Sequence, residues 1–166
     1  MLVKLNFNFA TVLLLSMMIL TVGNSCKNLA SERSDLKWLT IAEADQMART
    51  STDKKFIVDV YTDWCHWCKV MDQKTFTDPE LIKFLNENFI MVKFNAEQKE
   101  PIKFKGTEYQ WQAMGRNGVN ALALELLRGD MGYPSLVYLN EKLEPISVSP
   151  GYKTPEDLMN ELKKLL

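Results

Sequence analysis

Apolar and polar positions follow two rhythms along this chain, and each predicts a different element. From Trp38 to Arg49 the apolar residues Leu39, Ile41, Ala44, Met47 and Ala48 recur at helical spacing. Thr40, with Glu43 three residues on, supplies a capping box for that helix. Phe56-Ile57-Val58-Asp59-Val60-Tyr61 is rich in β-branched and aromatic residues and predicts a strand. Its nearly unbroken apolar character places it centrally, buried on both faces. A helix is expected from Cys65 to about Thr75, and Asp78-Pro79-Glu80 opens another. There Asp78 is the N-cap and Pro79 takes the first helical position, with Leu81, Ile82, Phe84 and Leu85 turned inward. Phe89 to Phe94 is the next strand.

The second half continues in the same way. Residues 102–111 read as a hairpin about Lys105-Gly106, with Ile102 and Phe104 on one arm and Thr107, Tyr109 and Trp111 on the other. Val119 to Arg128 is an apolar-faced helix closed by Gly129, and Ser135–Leu139 and Ile146–Ser149 are strands. Pro155 to Leu166 is a final helix capped by Thr154. The order implies an α/β fold, a mixed sheet with helices on both faces.

The first 25 residues have a different pattern. Lys4 is their only charged side chain, and an apolar run from Ala10 to Val22 follows it. That run is about 13 residues, short of the ~20 a membrane-spanning helix needs. A basic start followed by a short apolar stretch is the form of a secretory signal segment. A permanent single-span anchor is the other reading, since Leu2 to Phe9 lengthens the apolar segment. Both readings export the rest of the chain. The division expected is a signal segment at 1–25, a tether at 26–35 and one domain over 36–166.

Length and charge narrow the function. The chain has 166 residues, 46% hydrophobic and 25% charged, with net charge −1, which suits one globular domain. Its Lys and Arg residues are scattered, so no nucleic-acid surface is expected.

Of the three cysteines, Cys65 and Cys68 form a pair and Cys26 stands apart. Two residues between cysteines at a helix start let the sulfurs close into a short ring or open as a dithiol. The first sulfur then meets the unpaired N–H groups and positive end of the helix, which favour thiolate, the nucleophile of disulfide exchange. Cys65 is therefore the attacking residue, and Cys68, one turn in and more buried, resolves the mixed disulfide. Two other readings are a purely structural disulfide and a metal site. A closed zinc site wants four ligands, and this chain offers one cysteine pair and a single histidine, His66. No metal and no cofactor beyond the redox-active disulfide is expected.

Trp64-Cys65-His66-Trp67-Cys68-Lys69, directly after a strand, resembles the active site of the thioredoxin superfamily. Asp59, six residues before Cys65, matches the buried acid of that family, and Lys93 matches the lysine facing it. Tyr133-Pro134-Ser135 matches the cis-proline loop beside the dithiol, and Gly151 the glycine before the last helix. The resemblance implies a thioredoxin fold with a hairpin-plus-helix insertion, about 97–129, ahead of the cis-proline loop. Cys-His-Trp-Cys followed by Thr75-Phe76-Thr77-Asp78-Pro79 and by Asn86-Glu87-Asn88-Phe89 resembles a subgroup of exported bacterial thioredoxin-like proteins. Cys26, after Gly23-Asn24-Ser25, resembles the lipidated cysteine of bacterial lipoproteins, with plain cleavage near Ser25 as the alternative. A periplasmic protein, membrane-anchored through Cys26, is the location these likenesses imply.

The roles the resemblance implies differ in how many readings each residue allows. Asp59 takes a proton from Cys68 during resolution, or only pairs with Lys93 inside the sheet. Tyr133 and Pro134 offer a backbone edge to an extended substrate. Trp64 and Trp67 form an apolar rim or pack against the sheet, and His66 supports the Cys65 thiolate or merely faces solvent. Lys69 completes the motif. Dithiols of this design range from about −270 mV to about −120 mV. Strongly oxidising members place a histidine before the second cysteine and lack the buried acid, whereas this chain has Trp67 and Asp59. The expected activity is a protein-disulfide reductase, or an exchange protein, fed by a membrane or periplasmic electron donor and acting on exported proteins. Thiol oxidase or disulfide isomerase is the alternative within the same chemistry. A peptide-binding holdase with idle cysteines is the alternative outside it.

Overall fold

The computed structural model describes residues 35–166 apart from positions 51 and 116. The expected signal segment, Cys26 and all but the last residue of the 26–35 tether lie outside the described residues. Among the described residues no helix is long and apolar enough to cross a membrane.

The first half builds three parallel strands and three helices. They are β1 (Trp38–Leu39), α1 (Ile41–Arg49), β2 (Lys55–Tyr61), α2 (His66–Lys74), α3 (Pro79–Asn88) and β3 (Phe89–Asn95). The second half holds β4 (Ile102–Phe104), β5 (Thr107–Tyr109), β6 (Trp111–Gln112), β7 (Val119–Asn120) and α4 (Ala121–Leu126). It ends with β8 (Ser135–Leu139), β9 (Pro145–Pro150) and α5 (Pro155–Leu162). The main sheet has the order β1-β3-β2-β8-β9, with β1, β3 and β2 parallel and β8 and β9 antiparallel additions. This is the mixed α/β sheet the hydrophobic pattern predicts.

The helix starts follow local chemistry. Thr40 and Glu43 form the expected capping box, and Asp78 accepts from the Leu81 amide at 2.9 Å with Pro79 at the first helical position. Trp38–Leu39 departs from expectation, because it is a strand paired to Met91 and Val92 rather than the start of α1. The N-cap explains it: Thr40 has extended backbone, so the helix cannot begin before Ile41.

Lys105 (φ 50°) and Gly106 (φ 82°) are both left-handed, the geometry that closes a two-residue hairpin between β4 and β5. Trp111 is not on that hairpin. It pairs with Asn120 in a second ribbon, β6–β7, so the helix expected from Val119 starts instead at Ala121. Asn120 sets that start as a buried N-cap, its side chain accepting from the Leu122 amide at 3.0 Å. The last helix stops at Leu162, short of the expected Leu166.

Period-two alternation along β2 divides the core. Phe56, Val58 and Val60 face a cluster built with Leu39, Ile41 and Ala44, into which Ile102, Phe104, Val119, Leu122 and Leu126 also pack. Ile57 faces the other way, with Met91, Leu136 and Tyr138, under Met71 of α2, Leu81 and Leu85 of α3, and Leu158 and Leu162 of α5. The segment between β3 and β8 therefore covers one face of the sheet and shares its core.

Candidate active site

The dithiol stands where β2 ends and α2 begins. The Cys65 amide donates to the Thr62 carbonyl at 3.1 Å, closing the turn, and Cys65 is the N-cap of α2. Its sulfur accepts from the Cys68 amide at 3.0 Å, and the two sulfurs are joined in a disulfide with Cα atoms 5.3 Å apart. No acidic residue occupies the first turn of α2, so its positive end is not offset. Both cysteines are almost inaccessible, Cys65 at 4% and Cys68 at 3%, so the expected difference in burial between them is slight.

Asp59 and Lys93 are neighbours in the β2–β3 register, so their side chains leave the sheet on the same face. The Lys93 ammonium lies 2.7 Å from Asp59 Oδ2 and also contacts Asp72 on α2. It sits 4.8 Å from the Trp38 ring centre, 5.0 Å from Tyr61 and 5.6 Å from Phe76. Asp59 is 2% exposed, and its Oδ1 has no hydrogen-bond partner among the described residues. Burial raises the Asp59 pKa above the ordinary carboxylate value, against the opposing pull of Lys93. Burial acts to lower Lys93, but Asp59 and Asp72 outweigh it and hold its pKa above the usual value.

The rim is aromatic. Trp64 and Trp67 are 58% and 55% exposed. Trp64 Nε1 donates to Glu97 Oε1 at 2.7 Å, and its ring stands edge-on to Tyr133 at 6.0 Å. Trp67 leans on Tyr152 at 5.4 Å and meets His66 edge-on at 5.6 Å. His66 and Lys69 are exposed on α2. The Tyr133–Pro134 peptide is cis, and the Pro134 carbonyl accepts from the Gly151 amide at 2.8 Å. Burial, reinforced by the Glu97 carboxylate, pushes the Tyr133 hydroxyl up to about 12. Among the described residues no group of three or more His, Cys, Asp or Glu side chains could hold a metal ion.

The structure therefore brings Trp64, next to Cys65 in the chain, together with Tyr133, and Asp59 together with Lys93 across the β2–β3 pair. Asp72 and Glu97 join them without having been singled out in the sequence. For Asp72 a signal existed: it lies four residues after Cys68, on the same helical face. Glu97 had none, since its partner is 33 residues away.

Comparison with known proteins fits this geometry. The family model Thioredox_DsbH, described as a protein of unknown function, DUF255, matches residues 20–166. Mouse spermatogenesis-associated protein 20 is 28% identical over 105 residues, covering 63% of this chain and 11% of that protein. The thiol:disulfide interchange protein DsbD of Tatumella citrea is 27% identical over 128 residues, covering 76% of this chain and 19% of that protein. The chain thus spans less than a fifth of the length of these two relatives. Among solved structures, a DsbH oxidoreductase superposes with TM-score 0.56 at 18% identity, covering 85% of this chain and 91% of that one. That likeness shows a shared fold. By the span of its family match and by its architecture, the chain belongs to the Thioredox_DsbH family and has a thioredoxin-like fold.

Proposed function

We propose that this protein is a thiol-disulfide oxidoreductase working outside the cytoplasm, where Cys65 and Cys68 reduce or exchange disulfides of exported proteins. The observation that carries the proposal is the Cys65–Cys68 disulfide at the unopposed N-terminus of α2. In the reduced protein the Cys65 thiolate attacks a substrate sulfur, and the substrate's other sulfur leaves as a thiolate that takes a proton from water. Cys68 then passes its proton to Asp59 and attacks the Cys65 sulfur. The bond between Cys65 and the substrate breaks, and the second substrate sulfur departs as a thiolate that takes the proton held by Asp59. Two electrons have moved to the substrate, and the intramolecular disulfide is the product state.

Further residues have supporting parts in this reading. Trp64 and Trp67 supply exposed apolar surface for a substrate chain, and Tyr133 with Pro134 offers a backbone edge for it. The reducing direction is supported by Trp67 in place of a histidine before Cys68, and by Asp59 with Lys93. Export rests on the 1–25 segment, and anchoring on Cys26 as a lipid-bearing cysteine. A membrane or periplasmic dithiol donor returns the protein to its reduced form, a role to which the likeness to DsbD lends support.

Insulin reduction with dithiothreitol tests the chemistry, comparing wild type with Cys65→Ser. The wild type should accelerate precipitation and the variant should not, whereas equal rates would favour a peptide-binding holdase. A potential above about −180 mV would replace the reductase with an oxidase or isomerase. Cys68→Ser should retain substrates as mixed disulfides, and Cys26→Ala should abolish a lipid mass increment and detergent partitioning.

A further inference from the structure

We propose that Asp72 is a positioning residue for the dithiol chemistry: it keeps Lys93 paired while Asp59 is neutral, and so lets Asp59 receive the Cys68 proton. This rests on the reading of Asp59 as the base, and it adds a carboxylate from the dithiol helix itself. Asp72 Oδ1 and Asp59 Oδ2 both contact the single Lys93 ammonium. The three side chains run from interior to solvent, with side-chain exposures of 3% for Asp59, 22% for Lys93 and 43% for Asp72.

The charges explain what the second carboxylate does. Before proton transfer, one ammonium serves two carboxylates. After Cys68 S–H has given its proton to Asp59, the acid is neutral and Lys93 keeps Asp72 as its counter-ion. Without Asp72 the same transfer would leave an ammonium wedged against Trp38, Tyr61 and Phe76 with no anion beside it. Stranding a charge in such a place is costly, so Lys93 would instead hold Asp59 ionised and make it a poor base. Other elements around Asp59 do not compensate. Its β8 register partner is the apolar Leu136, and Tyr61, on its own strand, is uncharged at neutral pH. The negative charge of Asp72 also acts to raise the Asp59 pKa.

The test compares wild type, Asp72→Asn, Asp72→Glu and Asp59→Asn in two measurements. The first follows the Asp59 carboxyl carbon by NMR titration of the oxidised protein. The second follows release of a chromogenic aromatic thiol from a mixed disulfide on Cys65, as a function of pH. Asp72→Asn should lower the Asp59 midpoint by about one pH unit, a tenfold loss of proton affinity. It should also slow release roughly three- to tenfold at neutral pH and move the acid limb of the profile downward. Asp72→Glu should restore both. Asp72→Ser is the second neutral variant should Asp72→Asn fail to fold. An unmoved midpoint or unchanged release in a folded neutral variant overturns the inference. Wild-type release in Asp59→Asn would instead overturn the reading of Asp59 as the base.

Discussion

Trp64 Nε1 donates to Glu97 Oε1 at 2.7 Å, and Asn117 Nδ2 donates to the same oxygen at 3.2 Å. One carboxylate thus ties the residue before Cys65 to the loop between β6 and β7. Glu97 is itself held in place, its amide donating to Asn95 Oδ1 at 2.9 Å where β3 ends. The segment between β3 and β8 therefore reaches Trp64, the neighbour of Cys65 in the chain.

Glu97→Ala should free the Trp64 indole and leave Cys65 chemistry intact. A hydrogen bond of this kind contributes about 0.5–1.5 kcal/mol, so KM for a protein disulfide should rise by up to about tenfold with kcat little changed. Glu97→Gln keeps an acceptor oxygen and should retain most of the affinity. Trp64 emission should shift in the alanine variant only. A KM unaltered by Glu97→Ala would detach the rim from substrate capture.

The parts of this site that could be read in the sequence are those whose causes are local. The Thr40–Glu43 box, the Asp78-Pro79 start and the placement of Cys65 before a helix each depend on residues a turn apart. Trp38–Leu39 failed because a two-residue strand owes its existence to β3, fifty residues on, and nothing near it marks it. The β6–β7 ribbon was hidden in the same way, since Trp111 continues the alternation of β5 and leaves it only to pair with Asn120. Asp59 and Lys93 were legible through the resemblance alone. Asp72 shares the helical face of Cys68, but its partner Lys93 arrives from β3, which the spacing does not show.

Leu122 tests whether the segment from 97 to 129 is part of the domain's core. It is fully buried in the cluster that includes Phe56, Val58 and Val137 of the main sheet. Leu122→Ala should therefore cost about 2–5 kcal/mol in urea unfolding, in one cooperative transition. A loss confined to a separate early transition would make the segment an independently melting appendage.

Asp59 links the site to the pH dependence of stability. Its folded pKa is raised above the unfolded value, chiefly by burial, so the native state holds that proton more tightly than the unfolded chain does. The sign follows from this. The group's contribution is fully present below the unfolded pKa and is lost as pH rises through the folded one, above which a buried carboxylate is left with Oδ1 unpartnered. Asp59→Ala should consequently stabilise the protein above the folded pKa by about 1–3 kcal/mol, the range for an unsatisfied buried polar group. Lys93 keeps Asp72 as its partner in that variant, so the gain is not cancelled by a stranded ammonium. The advantage should shrink as pH falls through the folded pKa and vanish below the ordinary carboxylate range. Thermal melts of both proteins across that interval would check it. An Asp59→Ala variant less stable than wild type throughout the pH range above the folded pKa would mean that the carboxylate is held as a structural ion pair rather than kept as a proton acceptor.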